Sequence, residues 1–391
     1  MPSPPDPRFL TGNYAPVPDE TTVPGLTVDG TLPATLSGQY VRIGPNPAAT
    51  TATPCTWQSL DGMVHSVTVH GGRAVAYRNR WITTDSVART LGADPVPGPP
   101  AAPVDTVATN VIAAGGRILA LGPGALAYEL DDMLVTRGRV DLAGGGRGVG
   151  AHPQVDPLTG ALHLVSYGDE PAHHVVSPRS QTRITVPVPD APAPLERLLL
   201  TRTRLVLLGD GFVGVTRRTG ECQPQWAPLD LADAFDADDH GGAVAVLTTG
   251  PGLRRTTLES VGDARHELLD ESPQRFGLVN PRVAGLGARY VWTVAGEAGT
   301  EVFRHDLRSG TRSGHDLGAG RRPGELSFVA DPARRHREDG GWLIGLVHDE
   351  DRNEADLVVL DAAAIDRPAV ATVHIPRRIP YGLHGSWIPA V

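Results

Sequence analysis

Lysine is absent from this sequence of 391 residues, so all 35 of its basic side chains are arginine. Aspartate and glutamate together number 44, and the formal net charge at pH 7 is −9. The arginines form no basic stripe of the kind that follows a phosphate backbone, so we expect no nucleic-acid partner. With 40% hydrophobic and 20% charged residues, the composition is that of a globular protein and excludes a disordered chain.

Cysteine and long apolar runs are also scarce. Cys55 and Cys222 are the only cysteines, too few for a disulfide framework and without a C-x-x-C spacing, so we expect two reduced thiols. No apolar run reaches the roughly 18 residues of a membrane-spanning helix. The N-terminal residues contain neither a basic segment nor an apolar segment of a secretory signal, which favours a cytoplasmic location.

Aromatic residues make up only 5% of the chain, whereas glycine and proline are abundant, with 46 and 36 residues. This balance favours tight turns over helices and predicts an all-β protein. Short alternating apolar runs flank glycine-containing turns that suit β-hairpins. These turns are Gly71-Gly72, Gly115-Gly116, Thr159-Gly160, Asp210-Gly211, Gly241-Gly242, Ser309-Gly310 and Asp339-Gly340. A repeat of roughly 40 to 50 residues built from short strands is typical of a β-propeller blade.

Helical patterns are few and short. The best candidates are TLPATLSG (31–38) and LDLADAFDADD (229–239), of which the second fits a loop equally well. The proline-rich pieces are too short to separate domains, so we expect one domain over residues 1–391.

Several stretches together resemble the carotenoid cleavage oxygenases, a family of apocarotenoid- and stilbenoid-cleaving dioxygenases that includes the retinoid isomerohydrolase. The stretches are GNYAPVPDE, LTVDGTLPATLSGQYVRIGPNP, SLDGMVHSVTVHGGRAVAYRNRWITTD, NVIAAGGRILALGPGALAYELD, AHPQVDPLTGAL, GELSFVADP, EDGGWLIGLVHDE and IPYGLHGSWIP. They occur in the order of the family and span the chain. The resemblance implies a seven-bladed β-propeller with short loops or helices capping one face. It also implies an axial Fe(II) bound by four histidines, three of which are oriented by glutamates.

This sequence retains only part of the iron site that the resemblance implies. His152 in AHPQVDP and His384 in YGLHGSW match two of the four iron ligands, and Glu325 in GELSFV matches the carboxylate that orients the last ligand. The other two ligand positions align with Glu196 in ERLLLT and Asp230 in DLADAF, where Asp233 matches a family asparagine.

Two orienting glutamates of the family are replaced as well. Pro123 stands at one of these positions and Arg275 at the other. Two interpretations therefore remain open. In the first, His152 and His384 bind Fe(II) together with Glu196 or Asp230, a donor set used by non-haem iron oxygenases. In the second, no cofactor binds, because Arg275 brings a fixed positive charge and forms an ion pair with Asp230.

The favoured function is that of an enzyme acting on a hydrophobic polyene, terpenoid or polyketide small molecule. Without iron, His152, Glu196, Asp230, His384, Arg275 and Glu325 would serve acid and base chemistry in an isomerisation, cyclisation or elimination. The alternatives are an Fe(II)-dependent alkene-cleaving dioxygenase and a non-catalytic propeller that binds a hydrophobic ligand. Apolar residues at a tunnel mouth would predict weak peripheral membrane contact.

Two further groups of polar residues are expected at the surface. The acidic cluster Asp230, Asp233, Asp236, Asp238 and Asp239 is typical of a solvent-facing loop. The pair His173-His174 lies in loop-like sequence and is expected to be exposed.

Overall fold

The computed structural model describes residues 9, 11–49, 57, 60–167, 170–177, 182–192, 194–231, 233–260, 262–296 and 298–390. These residues form seven antiparallel sheets of four or five strands each, so the predicted seven-bladed β-propeller is confirmed. Cys222 is a buried free thiol, while Cys55 lies outside the described residues.

The first third of the chain supplies most of blade 1 and all of blade 2. Its strands are β1 (Thr21–Pro24), β2 (Thr27–Gly30), β3 (Gly38–Pro45), β4 (Gly62–His70), β5 (Arg73–Trp81), β6 (Asn110–Ala114), β7 (Arg117–Leu121), β8 (Ala127–Leu130) and β9 (Thr136–Val140). Blade 2 is a meander of β6 to β9.

Blades 3, 4 and 5 are also four-stranded meanders. Blade 3 contains β10 (Gln154–Val155), β11 (Leu162–Val165), β12 (Ala172–Val176) and β13 (Arg183–Pro187). Blade 4 contains β14 (Leu195–Leu200), β15 (Arg204–Gly209), β16 (Phe212–Arg217) and β17 (Gln225–Pro228). Blade 5 contains β18 (Ala234–His240), β19 (Ala243–Thr248), β20 (Leu253–Ser260) and β21 (Asp263–Asp270).

The last third forms blades 6 and 7 and closes blade 1. Blade 6 contains β22 (Gln274–Leu278), β23 (Tyr290–Ala295), β24 (Glu301–Asp306) and β25 (Thr311–Asp316). Blade 7 contains β26 (Arg321–Ala330), β27 (Gly341–Asp349), β28 (Glu354–Asp361) and β29 (Ala371–Ile375), with β2 added at its outer edge. The final strand, β30 (Gly385–Pro389), is the inner strand of blade 1, whose order is β1-β5-β4-β3-β30.

Packing between blades supplies the core. Each pair of neighbouring blades encloses a buried apolar cluster, because one face of every sheet is covered by the next sheet. Blades 4 and 5, for example, bury Leu199 and Val206 against Ala237 and Val246. The seven predicted glycine turns are distributed one to each blade, and each joins two neighbouring strands.

The helical predictions were wrong. Residues 31–38 contain no helix, and residues 229–239 lead into β18. The α-helix in the described part of the chain is α1 (Asp85–Leu91), where Thr84 Oγ1 accepts a hydrogen bond from Val87 N and Gly92 ends the helix in the left-handed region. Short 3₁₀ turns occur at Gly12–Tyr14 and Pro332–Arg334. None of the described helices has the length and apolarity to cross a membrane.

Two surface predictions were also wrong. His173 and His174 lie in β12 and are buried, and Asp236 is a buried residue of β18 rather than part of a solvated loop. The strands explain both cases, because a residue in a paired strand of a blade can pack against the neighbouring blade whatever its polarity.

Candidate functional site

A cavity of about 400 Å³ lies where the inner strands of the blades converge. Every blade contributes at least one polar residue to its lining. In blade order these include His384, Asn110, His152, Arg197, Asp233, Arg275 and Glu325, and Gln154 and Thr249 add two further polar side chains. Leu198, Leu199, Ala234, Phe235, Phe276 and Leu383 supply apolar lining. The cavity therefore combines ionisable groups with an apolar wall, as small-molecule sites do.

Irregular strand pairing turns several of these residues toward the axis. The inner strands of blades 4, 5, 6 and 7 each contain a register shift, at Leu195/Arg197, Ala234/Asp236, Arg275/Leu278 and Pro323/Leu326. A bulge places two residues opposite one and changes the direction in which a side chain points. Phe276, inside the third shift, has φ 54°, which is unusual for a residue with a Cβ.

His384 and Glu325 form a hydrogen-bonded pair on the cavity wall. Glu325 Oε1 lies 3.0 Å from His384 Nδ1, and Glu325 Oε2 accepts a hydrogen bond of 2.6 Å from Gly385 N. Tyr40 donates its hydroxyl hydrogen to the backbone oxygen of Glu325 at 2.7 Å. The carboxylate therefore fixes the His384 ring with Nδ1 as the protonated nitrogen, which leaves Nε2 as the basic nitrogen of the neutral imidazole.

His152 meets a guanidinium instead of a carboxylate. Arg197 Nη2 lies 3.3 Å from His152 Nε2, while Arg197 Nη1 donates a hydrogen bond to the backbone oxygen of Ala234. Burial, the Arg197 charge and the neighbouring His384 hold the pKa of His152 well below its ordinary value. His152 is thus a neutral imidazole whose Nε2 accepts a hydrogen from Arg197. The His152 and His384 rings are perpendicular, with centroids 4.8 Å apart.

Glu196 and Asp230 do not line the cavity. Both side chains are exposed, and the cavity positions in blades 4 and 5 are occupied by Arg197 and Asp233. The expected axial position of Glu196 is corrected to Arg197, because the bulge at Leu195/Arg197 breaks the regular alternation of β14.

Arg275 does line the cavity, as its aligned position implies. Its Nη2 donates a hydrogen bond of 3.0 Å to Pro323 O, and its Cζ lies 5.1 Å from the centroid of the Phe276 ring. The expected partner Asp230 is exposed and outside the cavity lining.

Sequence reasoning missed two arginines at the axis. Arg197 was missed because of the bulge, and Arg42 in β3 is buried beside Gly324 and Gly382 and donates a hydrogen bond to Pro380 O. Gly382 and Gly324 leave room for the Arg42 side chain because they have no Cβ. A Cβ at Gly382 would lie 2.6 Å from Arg42 Nε. A buried guanidinium between two glycines is not visible as a motif in the sequence.

The donor set does not match a four-histidine iron centre. Of the four expected ligand positions, only those of His152 and His384 carry imidazoles that reach the cavity, and His152 Nε2 already contacts Arg197. Within the described ranges, no group of three or more histidine, cysteine, aspartate or glutamate side chains is arranged to hold a metal ion.

Solved structures establish the fold independently. A mutant of the Synechocystis apocarotenoid oxygenase superposes with a TM-score of 0.85 at 22% identity and covers 99% of both chains. The lignostilbene dioxygenase of Pseudomonas brassicacearum superposes with a TM-score of 0.84 at 23% identity over the whole of both chains.

Sequence comparison identifies the family. The family model described as retinal pigment epithelial membrane protein matches residues 14–209 and 222–389. The protein named carotenoid cleavage oxygenase from Mycobacterium tuberculosis is 30% identical, with 97% of each chain covered. A probable carotenoid cleavage dioxygenase of Arabidopsis thaliana is 26% identical over 98% of this chain and 81% of its own. On the matched length and identity, the chain belongs to the carotenoid cleavage oxygenase family.

Proposed function

We propose that this protein is a metal-independent enzyme that moves a proton on a hydrophobic small molecule, in an isomerisation, cyclisation or elimination. The observation that carries the proposal is the contact of Arg197 with His152 Nε2, 3.3 Å long, inside the axial cavity. Relatives named for the cleavage of carotenoids support a polyene, terpenoid or similar apolar substrate.

The contact argues against the iron of the family. An imidazole binds a metal through the lone pair of an unprotonated nitrogen, and that lone pair of His152 accepts a hydrogen from Arg197. A guanidinium stays protonated in proteins, so a metal dication beside it would meet direct charge repulsion. His384 is then the one imidazole left to bind a metal, whereas such a site usually needs three or more protein ligands.

The His384–Glu325 pair can act as a general base. Glu325 holds the Nδ1 hydrogen of His384, which leaves the unprotonated Nε2 to take a proton from an activated C–H bond. In an isomerisation the same proton returns to another carbon, so the electron pair moves within the substrate and no oxidant is consumed. The guanidinium of Arg197 can stabilise negative charge that develops on a substrate oxygen during the transfer.

Oxygen-dependent alkene cleavage is the alternative, since the relatives are named oxygenases and dioxygenases. Glu196 and Asp230, the carboxylates that would complete its two-histidine site, are exposed and do not line the cavity. A non-catalytic binding protein is the other alternative. Such a protein would not need a general base of the kind that the hydrogen-bonded His384 and Glu325 provide.

Iron loading separates the first two functions. Purified protein is incubated anaerobically with Fe(II), desalted and subjected to elemental analysis, and oxygen uptake is then recorded with stilbene and apocarotenoid substrates. We expect substoichiometric iron and no uptake, and we expect the Arg197→His variant to retain more iron than the wild type because it exchanges a cation for a ligand. Stoichiometric iron in the wild type together with oxygen uptake would establish the dioxygenase instead.

Turnover under argon tests the proton-transfer chemistry. A panel of polyenes and terpenoids is incubated with and without oxygen, and we expect products of unchanged mass, or of a mass reduced by the eliminated group, at equal rates. His384→Gln should lower kcat by about 10²-fold or more because the base is lost. Glu325→Gln should lower kcat and shift its pH profile, since Glu325 acts through His384, while the exposed control Glu301→Gln should change neither. Tight binding of these polyenes or terpenoids without any turnover would support the alternative of a non-catalytic binding protein.

A further inference from the structure

Arginines outnumber the carboxylates available to them around the axis. Arg197 and Arg275 line the cavity, and the buried Arg42 lies against Gly324 and Gly382, which are next in sequence to the lining residues Glu325 and Leu383. Glu325 is already engaged by His384 and Gly385, and Asp233 is exposed. With His152 neutral, the three guanidinium groups face two carboxylates, so the axial region carries an excess of positive charge.

Arg197 has no carboxylate partner at ion-pair distance within the described residues. Its two hydrogen-bond acceptors there are the Ala234 carbonyl oxygen and His152 Nε2, which are both uncharged. Asp233 and Glu325 attract Arg197 only through space, and burial is the largest influence on the pKa of Arg197, which it lowers. Arg42 is similar, since its hydrogen bond goes to the Pro380 carbonyl and its Nε has no partner among the described residues.

Cations withdrawn from water are costly unless an anion or several hydrogen bonds compensate them. The cavity beside Arg197 is large enough for a small molecule, and its apolar lining suits a hydrocarbon chain. A ligand with an apolar body and one negative group would satisfy both features of this wall at once.

We propose that the axial cavity takes a hydrophobic carboxylic acid, whose carboxylate is bound by the guanidinium of Arg197. This inference rests on the proposed function for the identity of the cavity as the substrate site. The two hydrogen bonds to Ala234 and His152 hold the guanidinium plane in place, and three of its five N–H groups remain for a ligand. Planar, fixed guanidinium donors match the two oxygens of a carboxylate.

Binding of two polyenes that differ only at their polar end tests the proposal. Retinoate and retinol share the same hydrocarbon body, so the ratio of their dissociation constants isolates the carboxylate. We expect the wild type to bind retinoate at least about tenfold more tightly than retinol, as expected of a charge-assisted hydrogen bond.

Variants assign the preference to one side chain. Arg197→Met keeps an unbranched side chain but removes its charge, so the preference for retinoate should largely disappear, whereas the exposed control Arg73→Met should retain it. Arg197→Lys, which keeps the charge, should retain part of the preference and guards against a variant that fails to fold. Equal binding of retinoate and retinol by the wild type, or an undiminished preference in folded Arg197→Met, would overturn the carboxylate site. Either result would leave the anaerobic turnover assay unaffected, so the proposed function is judged separately.

Discussion

Asp236 shows how a single buried carboxyl group can set the pH dependence of this fold. The residue is buried between blades, and its Oδ1 accepts a hydrogen bond of 2.9 Å from Gly285 N. Burial raises the pKa of Asp236 to about 7, and the nearby charges of Asp238 and Glu338 act in the same direction. The folded protein therefore keeps a proton on Asp236 at pH values where the unfolded chain has released it.

The expected consequence is a loss of stability as the pH rises. Because the pKa in the folded state lies above the unfolded value near 4, the free energy of unfolding should fall between pH 4 and pH 7 and then level off. Asp236→Asn keeps the acceptor for Gly285 N and removes the titration, so it should raise the free energy of unfolding at pH 8 by up to about 4 kcal/mol. Urea unfolding at pH 5 and pH 8 measures the effect, with the exposed Glu259→Gln as control. An equal change at both pH values would show that the proton is not involved.

Arg197 shows why a residue of a site can be missed even when the surrounding sequence motif is recognised. Counting back from Thr201 along a regular strand places Glu196 at the axis, and one extra residue in the bulge gives that place to Arg197. Side chains alternate with a period of two, so an error of one residue moves a side chain from the axis to the surface.

Strands and turns were more predictable than the direction of individual side chains. Glycine-containing turns mark one hairpin in each blade, and the positive φ of residues such as Gly71 and Gly72 explains the preference for glycine there. The motifs YGLHGSW and GELSFV contain His384 and Glu325, whose side chains are hydrogen-bonded although β30 pairs with the distant β3 and β26 with the adjacent β27. Bulges in the inner strands depend on contacts between blades, so they leave no periodic signal in the sequence.

Blade 3 contains a pair of histidines whose burial the sequence did not indicate. His163 in β11 and His173 in β12 are stacked, and His163 Nδ1 lies 2.9 Å from His173 Nε2. Burial lowers the pKa of His163 to about 4 and that of His173 to about 3, and the charge of Arg218 lowers both further. One neutral ring donates to the other, and this hydrogen bond is lost when both rings are protonated.

Acid should therefore loosen blade 3 before it unfolds the whole protein. The folded pKa values lie below the unfolded value near 6.5, so their contribution to stability is present above pH 6.5 and is lost as the pH falls toward 4. Hydrogen exchange of the β11 and β12 amides should accelerate between pH 6.5 and pH 4.5 beyond the intrinsic change of rate.

A stacked aromatic pair provides the matched variant for blade 3. The double variant His163→Phe and His173→Phe keeps two stacked rings without a titrating nitrogen, so the acid response of β11 and β12 should become clearly smaller. Burial also lowers the pKa of the adjacent His174 to about 4, so His174 should account for the part of the response that remains. Replacement of the exposed His70 by glutamine should leave the acid response unchanged. Acceleration of the same size in the double variant would assign the response to other groups.

The two ends of the chain close the ring, through β30 in blade 1 and β2 at the outer edge of blade 7. The inner strand of blade 1, β30, pairs with β3 from Gly38–Pro389 to Arg42–Gly385, and it also packs beside β6 and β26. His384 precedes β30, and its backbone bonds to Ile43 N and Thr109 O tie the last cavity residue to blades 1 and 2. Since every blade contributes at least one polar group, the cavity is complete only when the ring is closed.

Removal of residues 385–391 should therefore open the ring and disable the site together. We expect the shortened chain to unfold at lower temperature with a broad transition, because blade 1 loses its inner strand and exposes apolar surface of blades 2 and 7. A synthetic peptide with the sequence GSWIPAV, added in trans, can pair with the free edge of β3 and should restore part of the stability in a concentration-dependent manner. A scrambled peptide of the same composition should have no effect, since it cannot reproduce the burial of Trp387 and Ile388. Unchanged thermal unfolding of the shortened chain would show that β1 and β2, which join the outer edges of blades 1 and 7, are sufficient for closure.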